Sequence, residues 1–128
     1  MRVVLADDSV AMLAELSGKL GEEFEIVGTA VNGEETIRAV QRSDPDVLVL
    51  DISMPNLNGL RVASRLHEGG SRTKIVFLTI HEQPGYISAA FSSGGSAYVT
   101  KRHLTSDLVP AIRAVLEGQT FISPSLQR

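Results

Sequence analysis

The chain has 128 residues, no cysteine and a formal net charge of −3; 43% of its residues are hydrophobic and 21% are charged. This length and composition are typical of one globular domain with a core of its own. The negative charge gives no general attraction to nucleic acid or to anionic membranes, and the lack of cysteine excludes disulfides and thiolate chemistry. Because no apolar run reaches the roughly 18 residues of a membrane span and Met1-Arg2 leads directly into a predicted strand, we expect a cytoplasmic protein without a membrane partner.

Strands and helices alternate along the chain in five pairs. Each predicted strand is a short apolar run, and the helices carry apolar residues three or four positions apart. Ser9 is a good N-cap for the first helix, Gly21 ends it, and Pro110 is expected near the first turn of the last helix. In chain order we predict a strand at 2–6, a helix from 10 to about 20, a strand at 24–31, a helix at 34–42, a strand at 47–50, a helix from 60 to about 67, a strand at 74–78, a helix at 84–91, a strand at 97–100 and a helix at 106–117.

This alternation predicts an α/β fold, a doubly wound five-stranded parallel sheet with five helices on its two faces. The uniformly apolar run at 47–50 is typical of a strand buried on both faces of such a sheet. Ligands bind to this class of sheet beyond the carboxyl ends of the strands, where the strand order reverses. The polar residues at those ends are Asp7, Asp8, Asp51, Thr79 and Lys101. We therefore expect three carboxylates, a hydroxyl and an ammonium group to converge in one crevice.

These five groups together favour metal-assisted phosphoryl chemistry. Three close carboxylates repel each other, so the pKa of at least one should rise unless a cation is bound. Mg²⁺ (or Mn²⁺) is the expected cofactor, because a hard cation prefers carboxylates, waters and phosphate oxygens. Lys101 and Thr79 can then bind phosphoryl oxygens through charge and a hydrogen bond. Asp51, at the centre, can act as the nucleophile and form an aspartyl phosphate.

The set Asp7-Asp8, Asp51-x-x-Met54-Pro55, Thr79, Tyr98 and Lys101 resembles the receiver domain of bacterial two-component response regulators. The resemblance covers the whole chain and implies the flavodoxin-like strand order 2-1-3-4-5. It also implies that the chain is a signalling switch rather than an enzyme with its own substrate. Such a domain accepts a phosphoryl group from the phosphohistidine of a sensor histidine kinase, and it catalyses only this acceptance and a slow dephosphorylation of itself.

The same resemblance implies a role for each site residue. The phosphoacceptor would be Asp51. The metal ligands would be Asp7 (partly through water), Asp8, Asp51 and the backbone carbonyl of Ser53. The groups that bind the phosphoryl group or respond to it would be Lys101, Thr79 and Tyr98, with Thr79 moving toward the phosphoryl group and Tyr98 turning inward behind it. Access to Asp51 and its dephosphorylation would be tuned by Ser53, Ile80 and His81.

Three segments, 78–81, 111–118 and 121–124, resemble the NarL/FixJ subfamily, whose output is a LuxR-type helix-turn-helix. By this likeness residues 1–118 are the receiver domain and 119–128 begin a linker to a DNA-binding domain that the sequence lacks. Phosphorylation would favour a homodimer, and the parent protein would control transcription while this fragment binds no DNA itself. The alternatives are a tail packed back on the domain and a stand-alone receiver acting through protein contacts. Thr100 departs from the family, in which an apolar residue is frequent, and predicts nothing by itself.

Several alternatives remain at this point. Taken singly, Asp8 fits a helix-start acid and Lys101 a solvated surface lysine. A haloacid-dehalogenase-type phosphatase also uses a strand-end aspartate with Mg²⁺, but it needs an acid two residues later, where this chain has Ser53. A flavodoxin-like flavin binder needs a Ser/Thr/Gly-rich phosphate loop after the first strand, where this chain has Asp7-Asp8. The joint placement of the site residues at successive strand ends favours the receiver.

Overall fold

The computed structural model describes residues 1–127, which form one parallel six-stranded sheet and five α-helices. In chain order these are β1 (Arg2–Ala6), α1 (Val10–Leu20), β2 (Glu25–Ala30), α2 (Gly33–Ser43), β3 (Val47–Leu50), α3 (Gly59–Glu68), β4 (Lys74–Thr79), α4 (Pro84–Ser92), β5 (Ala97–Thr100), α5 (Leu104–Leu116) and β6 (Phe121–Ile122). Short 3-10 helices cover Lys101–His103 and Pro124–Leu126. Within residues 1–127, no helix is long and apolar enough to cross a membrane. Arg128, the last residue of the predicted linker, lies outside the described residues.

The strand order is β2-β1-β3-β4-β5-β6, and every neighbouring pair is parallel. The doubly wound fold and the predicted order 2-1-3-4-5 are therefore confirmed. The order reverses between β1 and β3, which is where a ligand crevice is expected. The sixth strand was not predicted, and it lies within the segment 119–128 that the sequence predicts to be a linker.

Two cores lie on opposite faces of the sheet. One is shared with α1 and α5, and the other with α2, α3 and α4. Side chains of a strand alternate between the faces, so Val47 and Val49 enter the first core while Leu48 and Leu50 enter the second. Because both faces are covered, every residue of β3 is buried, which explains its uninterrupted apolar sequence.

Side-chain caps fix the starts of three helices. The Ser9 hydroxyl accepts a hydrogen bond from the Met12 amide at 3.1 Å, as the sequence predicts for α1. Asn32 is the N-cap of α2, which begins one residue earlier than predicted. Asn58 caps α3 in the same way. This last cap lies in the loop that leaves the end of β3, so it also helps to define the crevice.

The last helix differs most from its prediction of 106–117. A 3-10 turn at Lys101–His103 leads directly into α5, which begins at Leu104. The reason is that the Leu104 side chain is buried against the first core, which draws this residue into the helix. Pro110 consequently lies in the middle of α5, and its predicted position near the first turn is wrong. Its side chain is exposed, so the ring does not disturb the packed face.

Candidate functional site

The ends of β1 and β3 place two carboxylates side by side. Beyond the last strand residue, the Asp7 amide donates to the Ala30 carbonyl at 3.0 Å, and the Asp51 amide donates to the Ala6 carbonyl at 3.1 Å. These bonds continue the parallel ladder by one residue on each strand. Asp7 and Asp51 are therefore held in a fixed register, with only 2% and 5% of their surfaces exposed.

The start of α3 packs tightly against the backbone of Asp51. A Cβ atom on Gly59 would lie 2.1 Å from the Asp51 carbonyl oxygen, well inside any normal contact distance. The Gly59 amide also donates to the Ile52 carbonyl at 2.8 Å. Only glycine allows this close approach, so the sequence Asn58-Gly59 both starts the helix and fixes the loop that carries Asp51.

The three strand-end acids lie close enough to share a cation. One carboxylate oxygen from each of Asp7, Asp8 and Asp51 lies within 4.8 Å of the others, and Asp8 is exposed while the other two are buried. An all-oxygen set with one solvent-facing member suits Mg²⁺, which retains waters beside its carboxylate ligands. The residues therefore fit the expected metal. The Ser53 amide donates to Asp51 Oδ1 at 3.4 Å, whereas the use of the Ser53 carbonyl as a ligand stays a prediction.

Lys101 bridges the two buried acids. Its Nζ lies 2.8 Å from Asp7 Oδ2 and 3.0 Å from Asp51 Oδ2. Burial raises the pKa of the Asp51 carboxyl, and the nearby Asp7 charge adds to this rise, although Lys101 opposes it. Burial alone would lower the pKa of Lys101, but its hydrogen bonds to Asp7 and Asp51 and their charges outweigh burial and raise that pKa. Lys101 is consequently a firmly charged partner for an anion at Asp51.

The loop after β4 connects Thr79 with Tyr98, and both side chains are fully buried. The His81 amide donates to Thr79 Oγ1 at 3.3 Å, and the Tyr98 hydroxyl donates to the His81 carbonyl at 2.8 Å. Burial raises the pKa of Tyr98, so its hydroxyl stays protonated and able to donate. The predicted switch residues are thus joined through the backbone of a single residue.

The predicted tuning residues are placed differently from one another. A 2.7 Å hydrogen bond joins Ser53 Oγ to His81 Nε2, and the His81 ring stacks on Tyr86 with ring centres 4.2 Å apart. Ser53 and His81 therefore meet beside Asp51. Ile80 is 69% exposed and lines a surface pocket together with its chain neighbour His81.

Sequence reasoning missed a second polar cluster, formed by Glu82, Thr100 and Arg102. The buried Thr100 hydroxyl donates to Glu82 Oε2 at 2.6 Å, and the Arg102 guanidinium makes two 3.0 Å hydrogen bonds to the same carboxylate. The hydrogen bonds from Arg102 and Thr100 lower the pKa of Glu82. The sequence does show that Thr100 is a polar residue at the end of an apolar strand, and a hydroxyl buried there needs a hydrogen-bond partner. Nothing in the sequence identified that partner.

Residues 3–113 match the family model of the response regulator receiver domain. The chain belongs to this family. This receiver domain is 36% identical over 128 residues to the uncharacterized transcriptional regulatory protein YvfU of Bacillus subtilis (strain 168). The match covers 98% of the chain but 64% of that relative, so the chain spans less than two thirds of its length. The resemblance drawn from the sequence is thereby confirmed, and membership of this family argues against the phosphatase and flavin-binding alternatives.

Two solved structures share the fold of this receiver domain closely. A crystal structure of a two-component response regulator of the LuxR family from Aurantimonas sp. SI85-9A1 superposes with a TM-score of 0.93 at 27% identity, covering 98% of this chain and 91% of that one. The isolated REC domain of RcsB from Salmonella enterica serovar Typhimurium, in the presence of the phosphomimetic BeF₃⁻, gives 0.90 at 25% identity, covering 98% and 95%. The first likeness agrees with the LuxR-type subfamily predicted from the sequence.

Proposed function

We propose that this receiver domain is a phosphorylation-dependent switch in which Asp51 accepts a phosphoryl group from the phosphohistidine of a sensor histidine kinase. The observation that carries the proposal is the position of Asp51, a buried strand-end carboxylate between two further acids and an ammonium group. Within residues 1–127, Asp51 Oδ1 accepts a single long hydrogen bond of 3.4 Å, from the Ser53 amide, so this oxygen is the better nucleophile.

In the transfer, an Asp51 carboxylate oxygen forms a bond to phosphorus while the phosphorus–nitrogen bond of the phosphohistidine breaks. The leaving imidazole keeps the bonding electron pair. Asp7, Asp8, Asp51 and the Ser53 carbonyl would hold Mg²⁺ or Mn²⁺, which when bound neutralises charge on the phosphoryl oxygens. Lys101 exchanges one of its carboxylate partners for a phosphoryl oxygen. The domain acts on no other substrate. It slowly hydrolyses its own aspartyl phosphate, in which a water oxygen bonds to phosphorus, the bond between phosphorus and the Asp51 oxygen breaks, and Asp51 leaves as a carboxylate.

The switch uses Thr79 and Tyr98. The Thr79 hydroxyl accepts from the His81 amide, so its own hydrogen is free to donate to a phosphoryl oxygen on Asp51. Drawing Thr79 toward the phosphoryl group holds the His81 backbone in the position that accepts the Tyr98 hydroxyl, so the phosphoryl group favours the loop arrangement with Tyr98 inward. A phosphoryl group then biases an existing equilibrium between loop arrangements. A change from 1:99 to 99:1 requires about 5.5 kcal/mol of differential interaction.

The output is control of transcription through a DNA-binding domain beyond this chain, in a cytoplasmic protein that forms a phosphorylation-linked homodimer. The name of the relative YvfU as a transcriptional regulatory protein supports this output. Because its net charge is −3, this fragment alone should not bind specific DNA in gel-shift assays at low salt. The second candidate is a stand-alone receiver acting through protein contacts, which is favoured by the packing of 121–126 on the sheet.

Acetyl phosphate with Mg²⁺ is the direct test of the phosphoacceptor. We expect intact-mass measurements to show one added phosphoryl group on the wild-type chain and none on Asp51→Asn. Asp8→Ala should lose the dependence on Mg²⁺, and Lys101→Ala should be phosphorylated but should lose most of the conformational response. Labelling of Asp51→Asn at the wild-type level would refute the assignment.

A further inference from the structure

The C-terminal segment at 121–126 is attached to the strand that carries the switch tyrosine. Phe121 and Ile122 pair in parallel with Ala97 and Tyr98 of β5. The Ser123 amide then donates to the Tyr98 carbonyl at 2.9 Å. The segment therefore binds to the backbone of the residue whose hydroxyl is bonded to the loop after β4.

The Ser123 side chain makes a second connection. It is fully buried, and its hydroxyl accepts from the Thr100 amide at 3.1 Å. The Thr100 hydroxyl in turn donates to Glu82 at 2.6 Å. Three residues from three different segments are thus joined in one line, and two of the three side chains are buried. Loss of one member leaves a buried polar group without its partner, which is unfavourable.

Glu82 belongs to the loop 80–83, which follows Thr79 and precedes α4. The neighbouring residue His81 bonds the Thr79 hydroxyl, the Tyr98 hydroxyl and the Ser53 side chain. Glu82 itself is bonded to Thr100 and Arg102. In this structure loop 80–83 is arranged around the inward Tyr98 while the C-terminal segment is bound to the sheet. The hydrogen bonds of Glu82, Thr100 and Ser123 connect the loop to the segment.

We propose that Glu82, Thr100 and Ser123 form a relay through which binding of segment 121–126 to the sheet and the arrangement of loop 80–83 stabilise each other. The relay rests on the proposed function, because phosphorylation of Asp51 is taken to favour this loop arrangement. Coupling between two sites is reciprocal. If the bound segment favours the phosphorylated state of Asp51 by some factor, a phosphoryl group at Asp51 must strengthen binding of the segment to the sheet by the same factor.

The test uses the 128-residue chain with Mg²⁺ and BeF₃⁻ as the probe, and it follows exchange of the Ser123 amide hydrogen by NMR. We expect BeF₃⁻ to slow this exchange about fivefold or more in the wild type, the lower end of typical coupling. Thr100→Val should reduce the slowing to less than about twofold, whereas Thr100→Ser, which keeps the hydroxyl, should retain it. The reverse effect should also occur. Ser123→Ala should weaken the apparent affinity for BeF₃⁻ by the same factor by which it reduces the slowing of amide exchange at position 123.

Thr73→Val is the matched control. Thr73 is also a buried threonine, but its hydroxyl donates to the Pro45 carbonyl, at the opposite end of the sheet. Its loss should lower stability without changing the response of Ser123. If Thr100→Val fails to fold, Glu82→Ala removes the acceptor from a partly exposed position and should reduce the slowing equally.

The outcomes separate the two proposals. If the wild type binds BeF₃⁻ in a manner that Asp51→Asn abolishes, yet the Ser123 exchange is unchanged or faster, the relay is refuted and the proposed function stands. An equal slowing in wild type, Thr100→Val and Glu82→Ala would also refute the relay. If the wild type neither binds BeF₃⁻ nor accepts a phosphoryl group, the proposed function fails and the relay fails with it.

Discussion

Lys101 forms ion pairs with two buried carboxylates, so its removal leaves Asp7 and Asp51 without this cation. Because its ammonium retains some exposure, we expect Lys101→Met to lower the free energy of unfolding by about 2–3 kcal/mol in metal-free buffer, slightly less than for a fully buried pair. Added Mg²⁺ should restore part of this loss, since it replaces the missing charge. Urea denaturation with and without Mg²⁺ measures both effects, and the exposed Lys19→Met is the control. A loss that Mg²⁺ leaves unchanged would argue against a cation site here.

Asp51 should reduce stability at neutral pH, because burial raises its pKa above the unfolded value. The folded state then binds this proton more tightly than the unfolded state, so the contribution of Asp51 is most favourable below the unfolded pKa and is lost as pH rises through the folded pKa. Asp51→Asn does not titrate and should be more stable than the wild type at pH 7 without metal, with a smaller difference near pH 4.

Thermal unfolding across this pH range tests the sign of the Asp51 effect. Glu68→Gln, an equally conservative change of an exposed carboxylate at the end of α3, should leave stability nearly unchanged. If Asp51→Asn is less stable than the wild type at pH 7, hydrogen bonding to the Asp51 carboxylate outweighs its desolvation.

Most strands and helices could be predicted because their sequence pattern and their environment agree. The run Val47–Leu50 is apolar on both faces, and the structure buries both faces. The start of α5 could not be found in this way, because Leu104 joins the helix through tertiary packing while His103 before it makes no side-chain cap. The two-residue strand β6 is too short for any periodic signal and depends on pairing with β5.

Helix α3 depends on a glycine at its first residue. Gly59→Ala places a Cβ 2.1 Å from the Asp51 carbonyl oxygen, so the helix or the strand end must move. We expect a loss of about 2–3 kcal/mol, as for overpacking in a core, together with slower phosphorylation of Asp51. Gly18→Ala in α1 is the matched control, since nothing lies within 4 Å of its Cβ, and it should raise stability by about 0.5–1 kcal/mol. Similar effects of both changes on urea denaturation would contradict the close-approach argument.

The sequence could predict which residues converge, because parallel strands bring their carboxyl ends to one edge whatever the loops do. Asp7, Asp51 and Lys101 are in contact for this reason. The Glu82–Thr100 contact could not be predicted, since it depends on the path of loop 80–83 between a strand and a helix. The sequence therefore predicts which residues the sheet topology brings together, but it does not predict side-chain partners that depend on the path of a loop.

Phosphorylation should change the association of the whole domain through a helical face. Two faces are candidates: that of α4, β5 and α5, and that of α1 and α5. Of the α4 residues only Ala90 is buried, so this helix has the fewest anchors against a shift of the loop before it. Thr105 instead lines the groove between α1 and α5, beside Lys19.

We expect sedimentation velocity to show a larger dimer fraction with BeF₃⁻ and Mg²⁺ than without. In a two-fold dimer the same patch faces itself, so an added charge near the axis opposes its own copy. Ser88→Arg on α4 and Thr105→Arg on α5, both at exposed positions, therefore distinguish the faces, and the variant that stays monomeric while still binding BeF₃⁻ identifies the interface. If the wild type keeps the same monomer fraction with and without BeF₃⁻, phosphorylation does not act through dimerisation of this domain.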